Sequence, residues 1–184
     1  MDNALLVARR ELGSYLRSPG GYIIVAATLL VNGLLFNTRA LGSGAKLSSQ
    51  VLEHFLRDAS GTTTVAAVLL AMRLFAEERQ SGSLVLLYTS PIRDAEMVIG
   101  KFLAALCFLS ALVLMSLYLP ALIFVNGKVS LGHIAGGYLG LLLVGAAALA
   151  LGLLGSSLAR NQLVAGILAA LFIFVLFLSW HLSR

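Results

Sequence analysis

The sequence predicts an all-α, polytopic helical membrane protein of about five transmembrane helices, preceded by an amphipathic helix lying in the membrane interface. Three observations lead there. Of 184 residues, 59% are hydrophobic and only 11% charged, with a mean hydropathy of +0.96, whereas soluble domains carry about 25% charged residues. The apolar residues fall in long runs, and a run of roughly 20 residues is what a ~30 Å hydrocarbon layer requires. Lys and Arg stand in small groups flanking those runs, the arrangement that orients spans in a bilayer. The net charge of +5 therefore has no nucleic-acid footprint, because no continuous basic stripe is present. Cys107, inside an apolar run, reads as a small buried hydrophobe.

The opening helix covers Asn3 to Arg17. At 100° per residue Leu5, Ala8, Leu12, Tyr15 and Leu16 share one side and Arg9, Arg10, Gly13, Ser14 and Arg17 the other, with Leu6 and Val7 off the pattern. A basic face opposite an apolar stripe suits the interface; packing on protein is the alternative. The arginines interrupt any signal-peptide core, so residues 1–19 read as an interfacial helix and 20–184 as the transmembrane domain. Ser18-Pro19-Gly20-Gly21 breaks the helix.

Gly21 to Phe36 is the first span. Asn37 to Gly61 is polar, and Leu47, Val51, His54, Phe55 and Asp58 hint at a small surface helix within it. Thr62 to Ala76 is a short second span holding Arg73. A charge at mid-bilayer costs about 2.5–3.5 kcal/mol on insertion scales, so Arg73, near the end of the run, is expected to snorkel. The third span, Phe102 to Val125, contains Pro120, which denies the Ser116 carbonyl its helical donor and predicts a kink. Leu131 to Leu154 and Leu163 to Leu182 are the fourth and fifth, joined by Ala159-Arg160-Asn161. The fourth carries a row of small residues, Gly132, Gly136, Gly140, Ala148, Gly152 and Ser156. In lipid such residues let helix backbones approach closely, either within the bundle or with a second chain.

Counting Lys and Arg on alternate sides puts Arg9, Arg10, Arg17, Arg73, Arg79, Arg93, Lys101 and Arg160 on one side. Arg39, Lys46, Arg57, Lys128 and Arg184 fall on the other. The richer side is cytoplasmic by the positive-inside rule, and the N-terminus with it.

Residues 76–95 form the one charged connection with internal order. Glu77, Glu78 and Arg79 cluster where the second span leaves the membrane, and Gly82 permits a turn. Ser83 to Tyr88 can form a short helix presenting Leu84, Leu87 and Tyr88; Ser90-Pro91 ends it. Asp94 is placed to cap the helix that follows. An apolar face outside the lipid needs a protein partner or folds back on the bundle.

The pattern R-x-x-A-E-E-R-x-x-G-S-x-x-x-L from Arg73 to Leu87, followed by Ser90-Pro91 and Gly100-Lys101, resembles the cytoplasmic signature of ABC type-2 transporter permeases. It is nearest to the subgroup linked with gliding motility and copper-site maturation in bacteria. The R-R-E-L of Arg9 to Leu12 with Ser18-Pro19 ahead of the first span is similar to that family too. The resemblance implies an exporter half in the bacterial inner membrane that pairs with a second permease chain, identical or different, and with two separate ATPase subunits. It implies that the segment after the second span is the coupling element seated on the ATPase. Glu77, Glu78 and Arg79 would lie at the membrane junction, with Leu84 and Leu87 on the docking face. Gly82, Leu86 and Pro91 would shape the turn, and Gly100-Lys101 would open the third helix. Six spans with both ends cytoplasmic are usual in that family, against five read here.

Catalytic machinery is not expected in this chain. The sequence has no G-x-x-x-x-G-K-[ST], since Gly100-Lys101 precedes Phe102, so ATP and magnesium belong to the partner subunit. The paired Glu77-Glu78 is also similar to the glutamates of CAAX-type intramembrane proteases, which need an Arg where Gly82 stands. His54, His133 and His181 are too scattered to predict a metal set. A membrane scaffold or a secondary transporter is the remaining alternative. Secondary transporters often place their sites near the bilayer midplane, and the predicted spans have no acidic residue there.

Overall fold

The computed structural model describes residues 2–40, 48–76, 93–126 and 130–182. Seven helices account for nearly all of them: α1 (Asp2–Arg17), α2 (Pro19–Ala40), α3 (Ser48–Ala71), α4 (Asp94–Met115), α5 (Tyr118–Asn126), α6 (Leu131–Leu158) and α7 (Gln162–Leu182). Among the described residues four stretches are long and apolar enough to cross a membrane: Pro19–Thr38, Asp94–Ile123, Leu131–Leu158 and Gln162–Ser179. The protein is therefore an all-α, multi-pass membrane protein.

The largest difference from the sequence reading is α3. The expected surface helix and the expected second span are one continuous helix starting at Ser48. It packs against α2, α4, α5, α6 and α7. Leu52, Phe55, Ala59, Thr63, Ala66 and Leu70 recur at helical spacing and are buried. Its outer face is polar at one end, where Glu53 and Arg57 form an exposed i,i+4 pair at 3.3 Å. That polar half dilutes the hydropathy of a helix whose other face belongs to the core. The Ser60–Thr64 stretch does not break it, because the side chains bond back to the helix: Ser60 Oγ donates to Arg57 O, Thr62 Oγ1 to Ala59 O and Thr64 Oγ1 to Ser60 O.

Only Ser18 separates α1 from α2. Pro19 takes the first helical position, where a missing N–H costs nothing, and Ser18 Oγ accepts from the Gly21 N–H at 3.4 Å. A Cβ at Gly21 would run into the Tyr15 carbonyl, so only glycine fits this tight join. The break between α4 and α5 falls at Ser116-Leu117, just ahead of Pro120. The Ser116 carbonyl is satisfied by Leu119 N–H at 3.1 Å, a tighter turn replacing the bond that proline removes. Ser116 Oγ donates to Val113 O at 2.7 Å and lies 3.0 Å from the Tyr138 hydroxyl of α6. Cys107, expected to be buried, is exposed on α4.

Close approach on α6 is real but uses a different set of glycines from most of the expected row. A Cβ at Gly145 would lie 2.6 Å from Leu109 Cδ2 and 3.1 Å from Thr63 Cγ2. Gly137 abuts Leu56, Gly152 abuts Ala71, and a Cβ at Gly155 would come 3.0 Å from Ala169 N and 3.3 Å from Ala165 O. Gly136 and Gly140 have nothing within 4 Å, and Gly132 meets only Ser130 Oγ.

Gly155→Ala is expected to lower stability by about 1–3 kcal/mol, since its new methyl meets backbone that cannot yield. Gly136→Ala is expected to raise it by up to ~1 kcal/mol through helix propensity. Thermal unfolding of the detergent-purified variants checks both signs.

Candidate functional site

At one end of the bundle α1, the last turn of α3, the first half of α4 and the end of α6 converge. α1 runs beside α4 in parallel. Asn3 Nδ2 donates to Glu96 Oε2 at 3.2 Å, and further along the Tyr15 and Phe108 rings lie 5.5 Å apart. Between these points Gly100 lets the two backbones close: a Cβ there would sit 2.7 Å from Ala4 O and 2.8 Å from Val7 Cβ. The α1 face used is Ala4, Val7 and Tyr15, all buried, with Ala8 and Leu12 half-buried against the core. Leu5, Leu6 and Leu16 stay exposed. The apolar stripe read from the sequence is thus divided between protein and surface, because α4 takes the sector centred on Ala4 and Glu11.

Lys101 is the unusual group. It lies within α4, beyond the Asp94 start of the helix, and its side chain is 1% exposed. Its Nζ lies 3.1 Å from Glu11 Oε1, on a side chain 17% exposed, and 5.3 Å from the centroid of the Phe75 ring. An isolated ammonium in such surroundings is strongly disfavoured. A carboxylate at hydrogen-bond distance and an aromatic face supply compensating negative potential. Glu11 comes from α1 and Phe75 from the exit of α3, so one lysine joins three segments.

The exit of α3 is held from another direction as well. Ser156 Oγ, on α6 and fully buried, accepts from the N–H groups of Phe75 and Ala76, both at 3.1 Å, and donates to Met72 O at 3.5 Å. Phe75 and Ala76 lie beyond the end of α3 at Ala71, and their buried N–H groups take the Ser156 hydroxyl as acceptor. Ala76 then packs with Ala159 and Ala165 at the α6–α7 turn. Arg73 reaches Ser18 Oγ at 3.4 Å, at the start of α2, as a cation at the edge of a span should. At the other chain end Arg93 precedes α4 as its cap, so Asp94 is the first helical residue, and Glu96 accepts from Arg93 N–H at 3.3 Å.

Glu77, Glu78, Arg79, Gly82, Leu84, Leu86, Leu87 and Pro91 lie outside the described residues. Ala76 and Arg93, the described positions on either side of them, both belong to this junction. Gly100 and Lys101 fall well inside α4 and do not open it. Sequence reasoning placed Glu11 only in the R-R-E-L pattern and Ser156 only in the small-residue row, gave neither a part in this junction, and missed Phe75. One signal was available: Glu11 is the one acidic residue from Asn3 to Arg17, and Lys101 is a cation continuous with an apolar run.

Between α2 and α3 an open groove of about 440 Å³ is lined by Ile24, Thr28, Val31, Leu35, Thr62 and Leu69, with Arg57 and Asp58 in its wall. Beside it Asn32, 3% exposed, accepts from Thr62 Oγ1 at 2.6 Å. Among the described residues no group of His, Cys, Asp or Glu gathers that could hold a metal ion.

A helical bundle with four apolar spans among the described residues, and with Arg17, Arg73, Arg93 and Arg160 flanking them, is that of a multi-pass membrane protein. The family model of the ABC-2 type transporter matches residues 3–179, and the chain belongs to that family; it is a membrane permease component of an ABC transporter. A comparison with curated proteins returned no match.

Glu11→Gln is expected to destabilise the protein by about 1.5–3 kcal/mol, since the buried Lys101 loses a charge-assisted hydrogen bond, whereas Glu11→Leu with Lys101→Met is expected to stay within about 1–2 kcal/mol of wild type. Unfolding midpoints in detergent separate the two. In Ser156→Ala the Phe75 and Ala76 amides lose their acceptor, at about 1–3 kcal/mol for an unsatisfied buried group. Hydrogen exchange at those two amides is expected to accelerate while exchange in the middle of α6 does not.

Proposed function

We propose that this chain is the membrane-spanning subunit of an ATP-binding cassette exporter in the bacterial inner membrane, with its N-terminus cytoplasmic. A second permease chain, identical or different, completes the pathway. ATP, with magnesium, is bound and hydrolysed on separate ATPase subunits that seat on residues 77–92. The family match over residues 3–179 carries the reading. Two further observations support it. These 184 residues contain no P-loop, in keeping with ATP hydrolysis on a separate subunit. The residues flanking 77–92 are gripped at the end of the bundle where α1 and most of the basic groups also lie, which suits a cytoplasmic surface under the positive-inside rule.

In this reading Glu77, Glu78 and Arg79 make the polar contact at the membrane edge. Leu84 and Leu87 fill an apolar cleft of the ATPase, and Gly82, Leu86 and Pro91 shape the turn between. α3 serves as a fifth crossing: at ~1.5 Å per residue its 24 residues are long enough, and its charged groups Glu53, Arg57 and Asp58 fall in its first half. The open glycine row of α6 at Gly132, Gly136 and Gly140 is available to the second chain. The groove between α2 and α3 offers cargo an apolar wall with a charged end.

The tagged chain, expressed with its neighbouring genes and purified in mild detergent, is expected to retain an ATPase. Leu84→Arg with Leu87→Arg is expected to release that subunit without lowering the yield of the permease; equal retention by both overturns the docking assignment. A cysteine replacing Ser81, in a Cys107→Ser background, is expected to resist impermeant thiol reagents applied outside intact cells and to react after lysis.

A further inference from the structure

We propose that the outer face of α1 is a binding site for an anionic phospholipid, with the lipid phosphate on Arg9, Arg10 and Arg17 and the acyl region against Leu5, Leu6 and Leu16. Neither the ATPase nor a second permease chain is needed for it.

Helical spacing builds the site. Leu6, Arg10, Gly13 and Arg17 follow one another at steps of three and four residues along one side of α1, with Arg9 and Ser14 flanking them. That side points away from the bundle, since α4 takes the face carrying Ala4, Val7 and Tyr15. Gly13 interrupts the row of long side chains, and nothing lies within 4 Å of where its Cβ would be. A shallow recess of about 540 Å³ results, lined by Leu6, Arg9, Arg10, Gly13, Ser14 and Arg17. None of the described residues lining it is acidic, and the three guanidiniums form no ion pair among the described residues. A guanidinium presents its N–H groups as a planar fork that matches two oxygens of one phosphate.

Two features select a lipid as the occupant over an acidic protein surface. Leu5, Leu6 and Leu16 are exposed on and beside this face, and Leu6 belongs to the recess itself. A helix with that division of leucine and arginine gains both from apolar burial and from attraction to anionic headgroups. The second feature is position. Only Ser18 parts Arg17 from the Pro19–Thr38 span, so its guanidinium stands at the level where a bilayer carries its phosphates. Tyr22, one turn into α2 and exposed, is the kind of aromatic that marks a membrane–water interface. The charge then decides which lipid. A zwitterionic headgroup brings its own ammonium, which competes with arginine for the phosphate, whereas phosphatidylglycerol brings none.

The test uses the purified full chain in nanodiscs of phosphatidylcholine with a minority of phosphatidylglycerol. A fluorophore is attached at Ser14→Cys, exposed at the recess, in a Cys107→Ser background. Bromine, which quenches on contact, is carried on the acyl chains of the phosphatidylglycerol or of an equal amount of the phosphatidylcholine, so that composition and bromine content match. Brominated phosphatidylglycerol is expected to quench several-fold more strongly. In Arg9→Gln/Arg10→Gln/Arg17→Gln the two lipids are expected to quench equally. The thermal midpoint is expected to stay unmoved there, because all three side chains are exposed. Equal quenching with the arginines intact would overturn the proposal, leaving them a solvated face or a contact for an acidic protein. A preference that survives the triple substitution would overturn it as well.

Discussion

A lysine enclosed at the edge of a membrane bundle, paired with a carboxylate from another helix, is the constraint around which this end of the protein is arranged. Glu11 is turned inward to meet Lys101, and that fixes which face of α1 is buried. Arg9, Arg10 and Arg17 are left exposed. The same lysine lies against Phe75, so the chain leaves α3 within reach of where α4 and α1 pair. Without a partner the ammonium would face several kcal/mol of desolvation. The pair thus ties α1, α4 and the exit of α3 together.

Apart from that lysine the bundle is held by different means. In lipid there is no hydrophobic drive to bring helices together, and close packing and interhelical hydrogen bonds take its place. Gly145, Gly152 and Gly155 let α6 meet α4, α3 and α7 at backbone distance. Ser156 serves the end of α3, Tyr138 meets Ser116 at the α4–α5 break, and Thr62 bonds Asn32 across α2 and α3. Each of these polar groups is satisfied within the bundle where water is excluded. α7 is held mainly through Ala165 and Ala169 on α6 and is otherwise largely exposed, as a helix facing lipid or another subunit would be.

A permease component of an ABC transporter needs a region that receives displacement and a body that carries it across the membrane. The convergence of α1, α3, α4 and α6 ties four elements together at one end of the bundle. The break at Ser116-Leu117, where i+3 bonding substitutes for the bond lost to Pro120, gives α4 and α5 a change of direction partway across.

Composition and run length by themselves determined the helical membrane class and four of the spans, a single proline gave away the sharp join at Ser18-Pro19, and a resemblance around residues 73–101 pointed to the family. Those features are local: twenty apolar residues, a proline, or a fixed spacing of charges carry their meaning in any context. Tertiary structure alone decided that α3 begins at Ser48, because its polar first half is masked in any window average and only its buried face shows that it belongs to the core. It also decided which glycines of α6 are used. A one-dimensional row cannot tell which side of a helix its neighbours occupy, and Gly145 and Gly155 lie where they do. Lys101 and Glu11 stand ninety residues apart in the chain. Their pairing follows from α1 lying alongside α4, a fact of packing to which no local propensity refers.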